Sequence, residues 1–172
     1  MKKVLFSLIA LMAVMTVQAQ SICSSWRSMQ PAVESAADGS FTVQHFTYTF
    51  NEDGTYSLVD ELTVSSEPAR TMALEVATNV TIKGTYKLDG DKLTLTPNKK
   101  TYKTELISIS KNGRVTSDAK AKSNVNAMIN DYEFRSQFTE VETIPVKIGE
   151  YLLEMNKGGQ TVNFARLATI KN

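Results

Sequence analysis

The sequence predicts an all-β domain built from short antiparallel strands, and three features carry that prediction. Between positions 75 and 88 the even residues are Val76, Thr78, Val80, Ile82, Gly84, Tyr86 and Leu88. The odd ones are Glu75, Ala77, Asn79, Thr81, Lys83, Thr85 and Lys87. Alternation with period two puts one set in a core and the other in water only when the chain is extended. Asp89-Gly90 follows, a pair favoured at the centre of a two-residue type I′ hairpin, where both residues take positive φ. Lys92-Leu93-Thr94-Leu95-Thr96 then returns as the partner strand. The same order of strand, polar turn and strand recurs, with about nine strands in all, which means an antiparallel meander, sandwich or barrel.

Residues 1–19 stand outside that domain. Lys2 and Lys3 precede an apolar run over positions 4–17, and Val17-Gln18-Ala19 puts small residues at the two positions a signal peptidase reads. The run is about 14 residues, against about 20 for a membrane-spanning helix, so a cleaved secretory signal is the reading and an uncleaved anchor its alternative. Removing 19 of the 172 residues leaves 153, with 17 basic and 18 acidic side chains, net −1. That length suits one domain burying about 70% of its unfolded surface. No second apolar stretch reaches spanning length, so residues 20–172 are expected to form one soluble domain, periplasmic or extracellular. Cys23 follows Gln20-Ser21-Ile22, a poor match to a lipidated bacterial cysteine. It is read as a free thiol near a frayed terminus, with a lipoprotein as the weaker alternative.

Along the domain, Ser25-Trp26-Arg27-Ser28 begins the strands. Phe46, Tyr48 and Phe50 share a face, whereas His45 shares parity with Phe41 and Val43, which predicts a bulge or sharp bend near Gln44 to Phe46. Asn51-Glu52-Asp53-Gly54 turns the chain into a strand whose inward set is Tyr56, Leu58, Leu62 and Val64. Pro97-Asn98-Lys99-Lys100 leads to a strand around Tyr102, Leu106 and Ile109, and Lys111-Asn112-Gly113 closes another turn. The pattern then changes. Ala121, Val125, Met128, Ile129 and Tyr132 recur at helical spacing, which predicts one amphipathic helix near 117–132 with Ser117, Asp118 or Ser123 as N-cap. Phe134, Ser136 and Phe138 fit the start of a further strand. Strands are expected over 141–148, and on either side of Asn156-Lys157-Gly158-Gly159. No repeat or linker divides the chain.

Composition removes several function classes. The chain has 19 Lys+Arg, 18 Asp+Glu, one His, one Cys and one Trp. One Cys excludes an intramolecular disulfide, and no Cys/His cluster is spaced for zinc. One His leaves few routes to Ser-His-Asp or Cys-His catalysis. Near-zero charge offers nothing to nucleic acid. No phosphate-cradling Gly loop or nucleophile elbow is present. Neither an enzyme, a cofactor nor a metal is therefore expected. An outer-membrane barrel, the remaining alternative for an exported alternating chain, would need an unbroken lipid-facing apolar band with aromatic girdles.

A first-strand Trp, the hairpin Phe50-Asn51-Glu52-Asp53-Gly54-Thr55-Tyr56, and Gly84-Thr85-Tyr86-Lys87-Leu88-Asp89-Gly90-Asp91-Lys92-Leu93 together resemble the secreted lipocalin-like domains of Bacteroidota, which are calycin-like β-barrels. The resemblance is strongest over 46–106. It implies an up-and-down antiparallel barrel of eight strands (8–9 in all), in which the first-strand Trp packs under an Arg of the last strand. Trp26 and Arg166 occupy those places, a structural pair that a guanidinium lying over an indole face would explain. Ser24 stands where lipocalins commonly carry Gly, so the resemblance is to a lipocalin-like barrel rather than to the lipocalins proper.

Such a barrel either fills its interior or holds one small ligand. Inward polar residues are the clue, because burial without a partner costs about 1–3 kcal/mol. Asp60 has the parity of Tyr56, Leu58 and Leu62; it faces either a cavity or, through a bulge or strand end, water. Tyr48, Tyr56 and Tyr86 lie on apolar parity and would serve either as flat walls with polar tips or as core filling. Tyr48, Tyr56, Asp60 and Tyr86 are the candidate ligand-binding residues. His45 has no second ligand at useful spacing and is read as hydrogen-bonded or on the surface. The expected function is binding of a small apolar or amphipathic molecule inside the barrel; the alternative is a protein-interaction module with a packed core. A pocket of about 300 Å³ or more favours the first.

Overall fold

The computed structural model describes residues 21–37, 39–66 and 74–168, so the expected signal segment lies outside them. The elements are β1 (Ser24–Ser28), β2 (Ala32–Ser35), β3 (Phe41–Phe50), β4 (Thr55–Ser66), β5 (Leu74–Asp89), β6 (Lys92–Pro97), β7 (Lys103–Lys111), β8 (Arg114–Val115), α1 (Ala119–Ile129), α2 (Tyr132–Thr139), β9 (Glu142–Ile148), β10 (Leu152–Lys157) and β11 (Gln160–Arg166). Eight strands pair in the order β1-β3-β4-β5-β6-β9-β10-β11, and β11 returns to β1, every pair antiparallel. This is a closed up-and-down barrel, which leaves no unpaired edge in its wall. The three further strands, β2, β7 and β8, extend the sheet beyond that wall. Two of them, β2 and β8, are too short for their alternation to show in the sequence.

β5 is the longest element, with 16 residues. One edge pairs with β4; the other pairs first with β7, over 74–81, and then with β6, over 84–89. The change of partner falls at Gly84. A Cβ there would run into the Thr96 carbonyl oxygen and stand 2.8 Å from the Tyr56 ring and 2.9 Å from Pro97 Cα, so only glycine permits this approach. β3 behaves likewise, pairing with β2 through Gln44 and with β1 from Thr47. That exchange accounts for the pattern around His45. The β3–β4 register is unbroken from Phe41 to Phe50, no bulge occurs, and Phe41 is simply outward and exposed. The one bulge in β5 lies opposite β7, between Ala77 and Thr78.

The β5–β6 hairpin is confirmed with a shifted turn. Asp89 pairs with Lys92, so Gly90-Asp91 is the central pair, and only Gly90 has positive φ (61°). Glycine at the first central position is the type II′ pattern rather than I′. The β10–β11 turn has Gly158 and Gly159 both at positive φ.

The single helix expected over 117–132 is two. Asp118 caps α1 by accepting from Lys120 N and Ala121 N, and α1 stops at Ile129. Asp131 then accepts from Glu133 N and starts α2, so Phe134, Ser136 and Phe138 are helical rather than extended. Tyr132 is 80% exposed rather than part of a buried face. α1 packs through Val125 and Ile129 on Val76 and Ile109 of the extended sheet, while α2 sends Phe138 into the barrel core. No helix among the described residues is long and apolar enough to cross a membrane.

The end of the barrel marked by the Asn51–Gly54 turn is closed by residues 21–23. Ile22 is buried and its carbonyl accepts the Trp26 Nε1 proton at 2.8 Å. Arg166, the register partner of Trp26, holds its guanidinium carbon 4.9 Å from the Trp26 ring centroid and donates to the Ser21 carbonyl at 2.9 Å. Cys23 is not frayed: it is half-buried, with Sγ 3.2 Å from the Tyr86 hydroxyl. Trp26, Leu93, Leu153, Met155 and Phe164 are fully buried and fill this half of the interior.

Candidate functional site

The other end of the barrel opens into a cavity of about 410 Å³, walled by β2, β3, β4, β6 and the start of β9, by α2, and by the β10–β11 hairpin. Inward parity supplies its surface. Gln44, Phe46 and Tyr48 come from β3, Tyr56 and Leu58 from β4, and Leu95 from β6. Phe138 closes one side from α2, where it also touches the Phe134 ring at 5.5 Å between centroids.

Four charged residues complete the wall, Glu34 and Glu140 at its exposed rim and Lys157 and Glu142 further in. Lys157 continues the inward series of Leu153 and Met155 to the last residue of β10. Its Nζ donates to the Tyr48 hydroxyl at 3.2 Å, lies 3.2 Å from Glu142 Oε2, and sits 5.5 and 5.9 Å from the centroids of Phe46 and Tyr48. Burial opposes this ammonium, but Tyr48 and Glu142 more than offset it and hold its pKa above the ordinary lysine value. Glu142 reaches the site because it shares parity with the buried Ile144 and Val146.

Asp60 lies mid-strand between Phe46 and Val80 and is fully buried, so neither a bulge nor a strand end turns it to water. Its Oδ2 accepts from Gln44 Nε2 at 2.7 Å, and its Oδ1 is buried with no hydrogen-bond partner. Burial pushes the carboxyl up to about 6, against the opposing pull of Gln44 and Lys157. Burial also raises the Tyr56 phenol above its ordinary value.

The candidate residues thus separate. Tyr48 and Tyr56 line the cavity, and Asp60 stands behind Gln44 on the same inner face. Tyr86 lies at the closed end, where its hydroxyl donates to the Asn51 carbonyl at 2.9 Å, and it is not part of the cavity wall. Trp26 and Arg166 are also at the closed end. His45 has the outward parity and pairs in register with Glu61, which makes a bidentate pair with Arg27 at 2.8 and 2.7 Å. It is half-buried and its Nδ1 has no hydrogen-bond partner, so it is neither the hydrogen-bonded nor the surface histidine expected. No group of three or more His, Cys, Asp or Glu among the described residues could hold a metal. Sequence parity would have found Lys157, Glu142 and Gln44. The glycine pair after Lys157 drew it into a turn instead, and the start of β9 and the middle of β3 looked like boundaries.

No family model and no curated protein matches the chain. Among solved structures, an uncharacterized protein from Bacteroides eggerthii DSM 20697 is 13% identical, with a TM-score of 0.42 over 86% of this chain and 100% of its own. The closed antiparallel barrel of eight strands fits a calycin-like fold. Among the described residues, aromatic faces and a paired lysine meet around empty space at the open end, with the buried Asp60 carboxylate behind Gln44.

Proposed function

We propose that the chain is an exported, non-enzymatic lipocalin-like binding protein that takes a small apolar or amphipathic molecule into the mouth of its barrel. The cavity carries the reading. Its 410 Å³ lies within the range of about 300–1,000 Å³ that small-molecule sites occupy, and its wall combines apolar area with a few polar groups. The packed lower half argues for a shallow seat under α2 rather than a ligand running down the barrel axis. The lipocalin-like motifs and the signal-like residues 1–19 support export to the periplasm or beyond.

A protein-interaction module is the second reading, favoured by a specific feature. Met29, Val33 and Phe41 are 61%, 56% and 43% exposed around the β2–β3 edge, and exposed apolar residues beside a free strand edge suit a macromolecular contact. Native mass spectrometry of protein purified from its own host separates the two. A co-purifying small molecule supports the binding reading; an empty barrel that also fails to bind in a fluorescent lipid screen overturns it.

A further inference from the structure

We propose that the barrel mouth selects organic cations: an amphipathic molecule whose protonated amine takes the seat now held by Lys157 Nζ, with its apolar body along the aromatic wall. This rests on the binding reading above and adds the charge of the ligand. The charge balance comes first. Glu34, Glu140 and Glu142 line the cavity against Lys157 alone, the first two from its exposed rim, and Asp60 adds a fourth, buried carboxyl behind Gln44. Its Oδ1 is the one buried carboxylate oxygen among the described residues without a partner, and it shares the inward face of Tyr56 and Leu58, which line the cavity.

The seat itself comes second. Lys157 shows what the site does to a cation: the ammonium is held by a carboxylate and a hydroxyl, each at 3.2 Å, above the rings of Phe46 and Tyr48. Carboxylate plus aromatic face is the chemistry that recognises ammonium groups. Lys157 is a tethered occupant on a flexible four-carbon stem, and a ligand amine can exchange for it, keeping Glu142 paired while the released ammonium moves into water. An anionic ligand has no such exchange. It must pull Lys157 from Glu142, which leaves a carboxylate unpaired in a partly buried site.

The test uses three probes with one apolar body: 4-phenylbutylamine, 4-phenylbutyrate and 4-phenylbutanol, titrated calorimetrically at neutral pH against the protein after signal removal. The amine is expected to bind about tenfold or more tighter than either of the others, as one partly buried charge contact implies. Lys157→Met vacates the seat and should strengthen the amine; Asp60→Asn and Glu142→Gln should each weaken the amine more than the alcohol, lowering the amine-to-alcohol ratio. If the butyrate binds best and Lys157→Met abolishes it, or if all three bind equally, the cation selectivity is wrong while the cavity reading stands. If none binds, both fall. Should Lys157→Met not fold, the two carboxyl variants decide by the same amine-to-alcohol ratio.

Discussion

Asp60→Asn removes one titratable group from the centre of β4 at nearly constant volume, and the structure sets the size of the effect. Burial holds the Asp60 carboxyl at about 6 in the folded chain, against about 3.9 when unfolded, a difference worth about 3 kcal/mol. Because the folded pKa is the higher one, the folded state binds more protons between the two values. The Asp60 contribution is therefore fully present only below the unfolded value of about 4, is lost as pH rises through 6, and is flat above about pH 7. Asn has no such dependence. It can keep the Gln44 contact through its carbonyl oxygen, leaving its amide nitrogen where Oδ1 now has no partner. The constant cost or gain of that nitrogen shifts the whole curve and leaves its slope alone. Urea unfolding of both proteins from pH 4 to 7 should show the variant gaining about 2 kcal/mol on the wild type across that range, the remainder falling below pH 4. Groups not coupled to Asp60 cancel in the difference. A difference that stays constant with pH would mean that Asp60 ionises normally, and that the site does not hold it away from water.

Gly84→Ala should lower stability by about 1–3 kcal/mol, because the methyl meets backbone at the change of partner in β5; an unchanged melting temperature would contradict that packing. Arg166→Ala should cost about 1–2 kcal/mol, through the Trp26 ring contact and the Ser21 bond. It should leave amine binding at the distant mouth unaltered. Tyr102→Phe removes the bond from its hydroxyl to the Ile129 carbonyl at the end of α1 and should cost about 1 kcal/mol. Hydrogen exchange should report that loss in α1 before the barrel strands.

The barrel was legible wherever a strand was long enough to alternate. β4, β5 and β6 write their inward faces in period two, and the glycines at 54, 90, 113, 158 and 159 all take positive φ at turns. Short elements escaped that signal: four residues in β2 and two in β8 hold no period. The helical region misled for a different reason. Met128 and Tyr132 continue the spacing of Val125 and Ile129, but Asp131 caps a new helix and turns Tyr132 to solvent. Asp60 was marked by parity alone, since a carboxylate among Leu58 and Leu62 has no local explanation. The rest of the site depends on contacts across the fold. Lys157 meets Tyr48 across 109 positions of sequence, and Phe138 reaches the mouth only because α2 packs over it. Period two cannot encode where a turn from one end of the chain meets a helix from elsewhere.

The account stands on the mouth of the barrel being a binding site, and amide chemical shifts during titration with 4-phenylbutylamine test that most directly. Saturable shifts are expected at Gln44, Phe46, Leu58, Phe138 and Lys157, with Cys23, Trp26 and Tyr86 at the closed end unmoved. Shifts confined to Met29, Val33 and Phe41, or none that saturate, would contradict it.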